Sequence, residues 1–272
     1  MNTTHVIKLG GSLLDDASRR QQALAGIAGA WQRGEKLVLV HGGGKHVDTL
    51  LARLGIEKRT HAGLRITDAE TLDVVVAVLA GIVNKSLVAE LTAMGVRAAG
   101  ISGADDSTLV AEPHPAIEGV ELGHVGRVTA ANDALIETML TSGILPVVSS
   151  IALGPAGTLL NVNADSAASA LATAVGAQSL RFITDVAGVL DGDGKLIESL
   201  TASEVEQMLG STAVKGGMKP KLEAALAAMH GGVPAITIGE GADATQLING
   251  DHDRNPRGTA KRTEKGARNV AA

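Results

Sequence analysis

The 272-residue chain lacks several residue types, and each absence excludes a class of function. It contains no cysteine, which excludes disulfides, thiolate metal sites and a cysteine nucleophile. It contains no tyrosine, and its aromatic residues are Trp31 and Phe182, too few for a stacking platform on single-stranded nucleic acid. Its 24 Lys and Arg against 29 Asp and Glu give a formal charge of −5, so the basic excess that nucleic-acid binding requires is missing.

Long uninterrupted apolar runs are also missing. The stretch Leu72–Val83 is broken by Asp73 and Gly81 and falls short of the roughly 20 residues that span a bilayer. The N-terminus reaches Lys8 with no apolar core before it, so no signal peptide is visible. We therefore expect a cytoplasmic protein without a membrane partner. With 45% hydrophobic and 19% charged residues, the chain can still build a large core.

Short apolar runs alternate with longer amphipathic ones along the chain. Unbroken runs of four to seven residues predict strands that are buried on both faces, as in a parallel sheet. These runs are Val6–Leu9, Leu37–Val40, Val96–Ile101, Leu145–Ile151, Leu180–Ile183 and Ala235–Ile238. The helical stretches between them are Ser18–Arg33, Lys45–Leu54, Asp68–Met94, Asn132–Ser142, Ala164–Val175, Ala202–Leu209 and Met218–Gly231. This alternation predicts a doubly wound α/β sheet.

The pattern changes at three places. Gly103–Val128 is rich in Gly, Pro and acidic residues, which favours a β-hairpin over a helix. The strand–helix alternation restarts around Ser150–Gly157, so the chain divides into two lobes there. Residues 251–272 contain Lys and Arg with few large apolar residues, which predicts a poorly ordered tail.

Two predicted strands end in similar glycine loops. The sequence KLGGS at residues 8–12 follows the first strand, and HGGGK at residues 41–45 follows the second. Glycines at a strand-to-helix turn let backbone amides converge on an anion, and the following helix N-terminus adds positive charge. Open α/β sheets bind ligands at this edge. The alternative for either loop taken alone is a tight turn without a ligand.

Two more polar clusters lie further along the chain. NVNAD at residues 161–165 precedes a small-residue helix, and KGGMKPK occupies residues 215–221. The plain alternatives are a helix N-cap for the first and a solvated basic turn for the second. Together with the glycine loops, the lysines and Asp165 supply what phosphoryl transfer needs, namely positive charge and backbone amides around phosphates. A serine hydrolase is poorly supported, because no GxSxG occurs.

The histidines do not indicate a metal site. They follow no metal-ligand spacing such as HExxH, so packing or surface positions are expected for His5, His41, His46 and His61.

In order along the chain, these motifs resemble those of the acetylglutamate kinases, a family of the amino acid kinase superfamily. The shared motifs are KLGGS, HGGGK, GLRITDAET at 63–71, GHVG at 123–126, PVVSSI at 146–151, NVNAD, TDVAGVLD at 184–191 and GGMKPK at 216–221. The resemblance covers roughly residues 5–250, and NVNAD combined with GLRITD separates this family from the carbamate, aspartate and uridylate kinases.

The resemblance implies a three-layer αβα sandwich around a mainly parallel, open sheet of about eight strands, the amino acid kinase fold. It implies an N-terminal lobe at 1–155 that binds N-acetyl-L-glutamate and makes the contact of a homodimer. It also implies a C-terminal lobe at 156–250 that binds ATP, the two lobes forming one continuous domain. The implied reaction yields N-acetyl-L-glutamyl 5-phosphate, in the second step of arginine biosynthesis.

The resemblance also assigns residues to roles. Lys8 and Lys221 would neutralise the transferring phosphoryl group, and Asp165 would hold both ammonium groups by ion pairing. The remaining implied contacts are Gly10 and Gly11 to the phosphates, Gly43 and Gly44 to the γ-carboxylate, Arg65 to the α-carboxylate, Asn161 to the same end of the substrate, and Asp185, Val186, Ala187, Gly188, Val189, Leu190, Ala213, Val214 and Lys215 to the nucleotide. Mg²⁺ would sit on the ATP phosphates with water ligands, without a protein cage.

Three features depart from the family pattern. Lys219 stands where GGMIPK has an apolar residue, and its role is open. GTAKR at 258–262 replaces the usual apolar last strand, so that strand is expected to be short or absent. The first strand begins within about five residues, which leaves no room for the N-terminal helix of arginine-inhibited hexamers. A dimer unresponsive to arginine is therefore expected.

Two other functions stay open at this point. One is an aminoadipate or glutamate kinase of lysine biosynthesis that acts on a carrier protein, which should depart from GLRITD. The other is a non-catalytic amino-acid sensor on the same fold, which would be free to lose Lys8, Asp165 or Lys221. The chain keeps all of these residues.

Overall fold

The computed structural model describes residues 3–211, 214, 216–240 and 244–248. The predictions for Ala213, Lys215, GTAKR at 258–262 and the tail at 251–272 therefore lie outside the described residues.

Strands and helices alternate as the sequence predicts. In chain order the strands are β1 (Thr4–Leu9), β2 (Lys36–His41), β3 (Thr60–His61), β4 (Leu64–Arg65), β5 (Ala98–Ser102), β6 (Leu109–Pro113), β7 (Val125–Ala131), β8 (Leu145–Ser149), β9 (Ile151–Leu153), β10 (Leu159–Val162), β11 (Ser179–Ile183), β12 (Ser199–Thr201), β13 (Ala235–Ile238) and β14 (Thr245–Ile248). The helices are α1 (Gly11–Asp15), α2 (Ala17–Gln32), α3 (Gly44–Leu54), α4 (Ala69–Val76), α5 (Asn84–Ala93), α6 (Ala134–Thr141), α7 (Ala164–Ala174), α8 (Ala202–Gly210) and α9 (Met218–His230).

An eight-stranded sheet forms the centre, in the order β12-β14-β13-β11-β1-β2-β8-β5. Neighbouring strands are parallel except for β13 and β14, which are antiparallel. The expectation of a mainly parallel sheet of about eight strands is confirmed. Each of the six predicted apolar runs contributes a strand to this sheet, and the run Leu145–Ile151 divides at Ser150 into β8 and the start of β9, which lies outside the sheet.

Helices cover both faces of the sheet, and alternate residues of β1 show how the two faces are used. Val6 packs into a hydrophobic cluster with residues of α6, α7, α8 and α9. Ile7 and Leu9 point to the other face and pack with residues of α1 to α5. The architecture is thus the three-layer αβα sandwich that the resemblance implied, and Lys8 shares the face of Val6 because strand side chains alternate.

The region predicted as a β-hairpin contains β6 and β7, which pair antiparallel from Leu109 with Ala131 to Pro113 with Gly126. Strands β9 and β10 join them in a small closed arrangement of four strands. Strand β10 leads directly into α7, so this arrangement positions the NVNAD segment above the main sheet.

The stretch from Ala69 to Ala93 is one continuous helical run, in which a π-helical segment, Ala77–Val83, joins α4 to α5. By length and composition it is the one helix of the described residues that could cross a membrane, with a mean hydropathy of 1.9. The helix predicted over Asp68–Met94 is confirmed, and it accommodates Asp73 and Gly81, which interrupt the apolar stretch but not the helix. Its buried residues pack against α3 and the sheet, and 39% of its most apolar window is buried within the chain.

Candidate active site

The predicted site residues gather where β11, β1 and β2 end side by side. Loops leave these three neighbouring strands at their carboxyl ends, which is where open α/β sheets bind ligands. A Cβ added to Gly11 would lie 4.0 Å from the backbone nitrogen of Gly44, so the two glycine loops meet. A Cβ added to Gly42 would lie 3.4 Å from the Cβ of Ala164, which brings the start of α7 to the same place.

Asp165 holds two lysines at the centre of this junction. Its carboxylate lies 2.7 Å from the Nζ of Lys8 and 3.1 Å from the Nζ of Lys221. All three residues are buried, with exposed fractions of 6% for Lys8, 7% for Asp165 and 8% for Lys221. The structure therefore joins three residues from β1, α7 and α9 that the sequence places up to 213 positions apart.

The start of α7 explains why Asp165 is available to the lysines. Asn163 caps the helix, and its side-chain oxygen accepts hydrogen bonds from the backbone amides of Asp165 and Ser166. The N-cap interpretation of this segment is correct for Asn163, but it does not apply to Asp165. With the cap supplied by its neighbour, the Asp165 carboxylate points into the junction and pairs with the lysines.

Burial and charge act in opposite directions on this cluster. Burial alone would raise the pKa of Asp165, but the ammonium groups of Lys8 and Lys221 outweigh it, and the pKa lies below its usual value. Burial lowers the pKa of Lys8; Asp165 opposes that change, and the charge of Lys221 adds to it. Two ammonium groups share one carboxylate, so the cluster has a surplus of positive charge that an anionic group can compensate.

Lys221 reaches the cluster from the first turns of α9. Its ammonium lies 5.9 Å from the centroid of the Phe182 ring on β11, close enough for a cation–π interaction. Lys219, two residues earlier, is exposed. The two lysines of GGMKPK thus have different surroundings, and Lys221 alone of the two belongs to the buried cluster.

The glycines of the first loop serve different purposes. The amide of Gly10 donates to the carbonyl oxygen of Ile183 at 2.8 Å, and its contact with a phosphate stays a prediction. Gly10 is still required, because a Cβ there would lie 3.0 Å from that same oxygen. Gly11 is the first residue of α1, so its backbone amide lies at a helix N-terminus, where an anion can bind. Its contact with a phosphate stays a prediction.

The second loop approaches the π-helical segment closely. A Cβ on Gly43 would lie 2.9 Å from Leu79 and 3.2 Å from Val83, and the backbone φ of 154° also disfavours a side chain. Gly43 caps α3, and Gly44 is its first residue. Their backbone amides lie at a helix N-terminus, as predicted for binding a carboxylate.

Arg65 lies in β4, beside the second loop. Its Nη2 donates to the carbonyl oxygen of Gly44 at 3.2 Å and to the carboxylate of Asp48. Asp48 also accepts a hydrogen bond from Lys58, and these partners lower the pKa of Asp48 although its partial burial would raise it. The Nη1 of Arg65 is buried and has no hydrogen-bond partner among the described residues, so it is available to a carboxylate.

Asn161 is connected to the same region. Its side-chain amide donates to the hydroxyl of Thr67 at 3.2 Å, and that hydroxyl donates to the backbone carbonyl of Arg65 at 2.9 Å. Thr67 is buried, so it fixes Asn161 and the Arg65 backbone relative to each other. Asp48 was not singled out from the sequence, since only the folded chain brings α3 to Arg65, whereas Thr67 lies within the motif GLRITDAET, two residues after Arg65.

The predicted nucleotide loop, TDVAGVLD, leaves the end of β11. Asp185, Val186, Ala187 and Leu190 are exposed there, whereas Gly188 is buried. Val189 is 1% exposed and its amide donates to the Thr245 hydroxyl at 2.8 Å, and its contact with the nucleotide stays a prediction. Val214 is partly buried and packs against the hydrophobic core, and its contact with the nucleotide stays a prediction.

His41 and Asn84 form a buried pair at the beginning of the second loop. The Nδ2 of Asn84 lies 3.1 Å from the Nε2 of His41, and both residues are 0% exposed. His41 occupies a packing position, as expected, and burial lowers its pKa to about 4. Asn84 was not recognised from the sequence, although a lone amide within an apolar helical run was a visible signal.

The described residues contain no group of three or more His, Asp or Glu side chains arranged to hold a metal ion. Asp165, the buried carboxylate at the centre, is occupied by two ammonium groups.

Comparison with known proteins agrees with this geometry. Residues 3–239 match the model of the amino acid kinase family. An acetylglutamate kinase from Geobacillus thermodenitrificans is 44% identical over 241 residues, which cover 89% of this chain and 91% of the relative. Another from Methanopyrus kandleri is 46% identical over 239 residues, covering 86% and 93%.

Solved structures show the same fold. A Streptococcus mutans protein has a TM-score of 0.80 at 29% identity and covers 91% of this chain and 99% of its own. A carbamate kinase from Giardia has a TM-score of 0.67 at 16% identity, covering 92% and 99%, which supports the fold alone. The chain therefore belongs to the amino acid kinase family and, within it, to the acetylglutamate kinases.

Proposed function

We propose that the buried Lys8–Asp165–Lys221 cluster is where this chain transfers the γ-phosphoryl group of ATP to N-acetyl-L-glutamate. The product is N-acetyl-L-glutamyl 5-phosphate, an intermediate of arginine biosynthesis. The observation that carries the proposal is the surplus positive charge, held out of water where three loops meet. A group that gains negative charge between ATP and an acceptor is stabilised there, because charges act strongly in a dry, preorganised site.

The acceptor carboxylate needs no general base. A γ-carboxylate has a pKa of about 4.3 and is ionised at pH 7, so it can attack phosphorus directly. We place it against the amides of Gly43 and Gly44 at the N-terminus of α3. The α-carboxylate then binds the free Nη1 of Arg65, whose other nitrogen is fixed by Asp48 and Gly44. Asn161, held by Thr67, binds the same end of the substrate.

The nucleotide lies on the other side of the cluster. We assign its phosphates to Gly11 and Lys221, and its remaining contacts to the exposed residues of the loop that follows β11. Mg²⁺ bound to those phosphates neutralises part of their charge. In the transition state Lys8 acts from the acceptor side and Lys221 from the donor side, while Asp165 keeps both ammonium groups charged and aimed.

This assignment gives the two lobes of the chain different roles. Residues 1–155 supply the acceptor site apart from Asn161, and residues 156–250 supply the nucleotide site apart from Gly11. The cytoplasm, which supplies ATP, is the compartment we propose for the reaction.

We further propose that two copies associate through the helical run Ala69–Ala93. Most of its apolar window is not buried within one chain, and Ile82 is 53% exposed. A second copy would cover this surface and bury it from water. Light scattering should give twice the 27.5 kDa of one chain, and Ile82→Lys should give a single chain. A monomeric unmodified protein would overturn this part.

The test of the phosphoryl-transfer site compares two neighbouring lysines. With N-acetyl-L-glutamate, MgATP and hydroxylamine, the acyl phosphate is trapped as a hydroxamate. Lys221→Met should lower kcat by roughly 10²- to 10³-fold, the usual effect of losing a preorganised charge. The control Lys219→Met removes an exposed charge in the same turn and should stay within about threefold of the unmodified enzyme. An equal fall in kcat for Lys221→Met and Lys219→Met would contradict the assignment of Lys221 to the phosphoryl-transfer site.

A further inference from the structure

The second glycine loop begins at a histidine with a fixed hydrogen-bonding pattern. The Nδ1 of His41 lies 2.8 Å from the carbonyl oxygen of Gly42. A carbonyl oxygen only accepts hydrogen bonds, so Nδ1 must be protonated and donate to it. His41 is fully buried and belongs to β2, which gives the imidazole no solvent partner.

Asn84 determines the state of the other ring nitrogen. Its Nδ2 lies 2.9 Å from the carbonyl oxygen of Val147 and 3.3 Å from that of Ile101. Only the NH₂ end of the amide can face two carbonyl oxygens, so the atom that lies 3.1 Å from the Nε2 of His41 is the amide nitrogen. An amide nitrogen does not accept hydrogen bonds, so Nε2 cannot donate to it and instead shares the two N–H hydrogens of Nδ2 with the carbonyl oxygens. Nε2 is therefore an acceptor without a proton, and the imidazole is neutral.

The surroundings of Asn84 hold this arrangement in place. The other end of its amide accepts a hydrogen bond from Lys85 at 3.1 Å. A Cβ on Gly100 would lie 1.7 Å from the Asn84 side-chain oxygen, so the amide fits only because residue 100 is glycine. Asn84 also begins α5 directly after the π-helical segment, and such segments are frequent at functional sites.

The peptide unit between Gly42 and Gly43 links the hydrogen bond from His41 to the direction of the Gly43 amide. A trans peptide points its C=O and its N–H in opposite directions. A donor that holds the Gly42 oxygen on one side therefore determines where the Gly43 amide points on the other. Glycine lacks a side chain that would restrict this unit, so the hydrogen bond from His41 supplies the missing constraint.

We propose that His41 and Asn84 are positioning residues, which turn the Gly43 amide toward the acceptor carboxylate by holding the Gly42 carbonyl. The inference rests on the proposed placement of that carboxylate against Gly43 and Gly44. Neither side chain touches the substrate. The burial that keeps the pKa of His41 at about 4 supports a neutral ring at physiological pH.

The first test observes the tautomer in the unmodified enzyme. A two-dimensional ¹H–¹⁵N spectrum of the histidine side chains at pH 7 reports which ring nitrogen carries the proton, and loss of one set of signals in His41→Asn assigns it. The chain has eight histidines, so the assignment is tractable. We expect protonation at Nδ1. A proton on Nε2 instead would overturn the positioning role of His41 and would leave the proposed phosphoryl transfer unaffected.

The second test uses two substitutions that keep different halves of the imidazole. His41→Asn places an amide nitrogen where Nδ1 was and can still donate to Gly42, whereas His41→Gln places its amide where Nε2 was. We expect KM for N-acetyl-L-glutamate to rise on the order of tenfold in His41→Gln and less than threefold in His41→Asn, with KM for ATP unchanged in both. Asn84→Ala should resemble His41→Gln.

The pair of variants separates positioning from packing. Both replace a buried ring by a smaller amide, so lost packing should lower the melting temperature of both. Equal KM values for the two variants, or a parallel rise in KM for ATP, would overturn the positioning role. If the tautomer is as expected but Lys221→Met stays active, the proposed function fails and the inference about the loop geometry survives.

Discussion

Replacing Asp165 by asparagine tests the balance of charge in the buried cluster. The substitution keeps the volume but removes the carboxylate charge that pairs with Lys8 at 2.7 Å and with Lys221 at 3.1 Å. Breaking a buried ion pair from one side costs about 3–5 kcal/mol, because the remaining charge is left uncompensated. Here two charges of the same sign remain.

The cost has an upper limit. If Asp165→Asn leaves Lys8 unable to stay charged, its ammonium can release a proton instead, and neutralising an ordinary lysine with a pKa of about 10.4 at pH 7 costs about 4.6 kcal/mol at 1.36 kcal/mol per unit. Burial already lowers the pKa of Lys8, which makes this release easier. We therefore expect Asp165→Asn to destabilise the fold by about 3–4 kcal/mol.

Urea unfolding at pH 7, followed by circular dichroism, measures this loss. The informative control is the double variant Lys8→Met with Asp165→Asn, which removes one of the two stranded charges and should recover about 1–3 kcal/mol. Activity should not recover, since a lysine is now missing from the transition state. An Asp165→Asn protein within 1 kcal/mol of the unmodified one, or a double variant less stable than the single, would refute the reasoning.

Three further predictions concern other parts of the site. Arg65→Lys keeps a charge but loses the free Nη1, so KM for N-acetyl-L-glutamate should rise at least tenfold while KM for ATP stays constant in steady-state assays. The pKa of His41 is about 4 in the folded chain, below its usual 6.5, so the unfolded state binds more protons between these two pH values. The free energy of unfolding should therefore fall by about 3 kcal/mol as the pH drops from 6.5 to 4. Urea unfolding across this pH range should show this fall in the unmodified protein, and His41→Asn should lack it. Thr245→Val removes the hydrogen bonds to Val189 and Ile197, so nucleotide titrations should show weaker ATP binding with unchanged binding of N-acetyl-L-glutamate.

The sequence predicted the central strands well because they are apolar and buried on both faces. It did not predict β12 and β14, which hold three and four residues at one side of the sheet. Such short segments become strands only through pairing with each other and with β13. The helix boundaries were close throughout, since amphipathic spacing and capping residues are local signals.

The residues of the candidate site fall into two groups, those found from the sequence and those seen only in the folded chain. The glycine loops, Lys8, Asp165 and Lys221 belong to local motifs and were found in the sequence. The partners that orient them were not, because each comes from a distant segment: Asp48 reaches Arg65 across 17 residues, and Asn84 reaches His41 across 43. Gly10 and Val189 show the same limit, since only the folded chain shows that their backbone amides are already hydrogen-bonded within the chain.

Gly100 shows how far the demands of the site extend. It lies in β5 at one edge of the sheet, far in sequence from every motif, and it binds nothing itself. Yet any side chain there would displace Asn84. In a selection for growth without arginine, a library of single substitutions should show position 100 as intolerant as the glycines of the loops. A map of tolerated residues would then show the residues that support the active site from behind as clearly as the residues that contact the substrates.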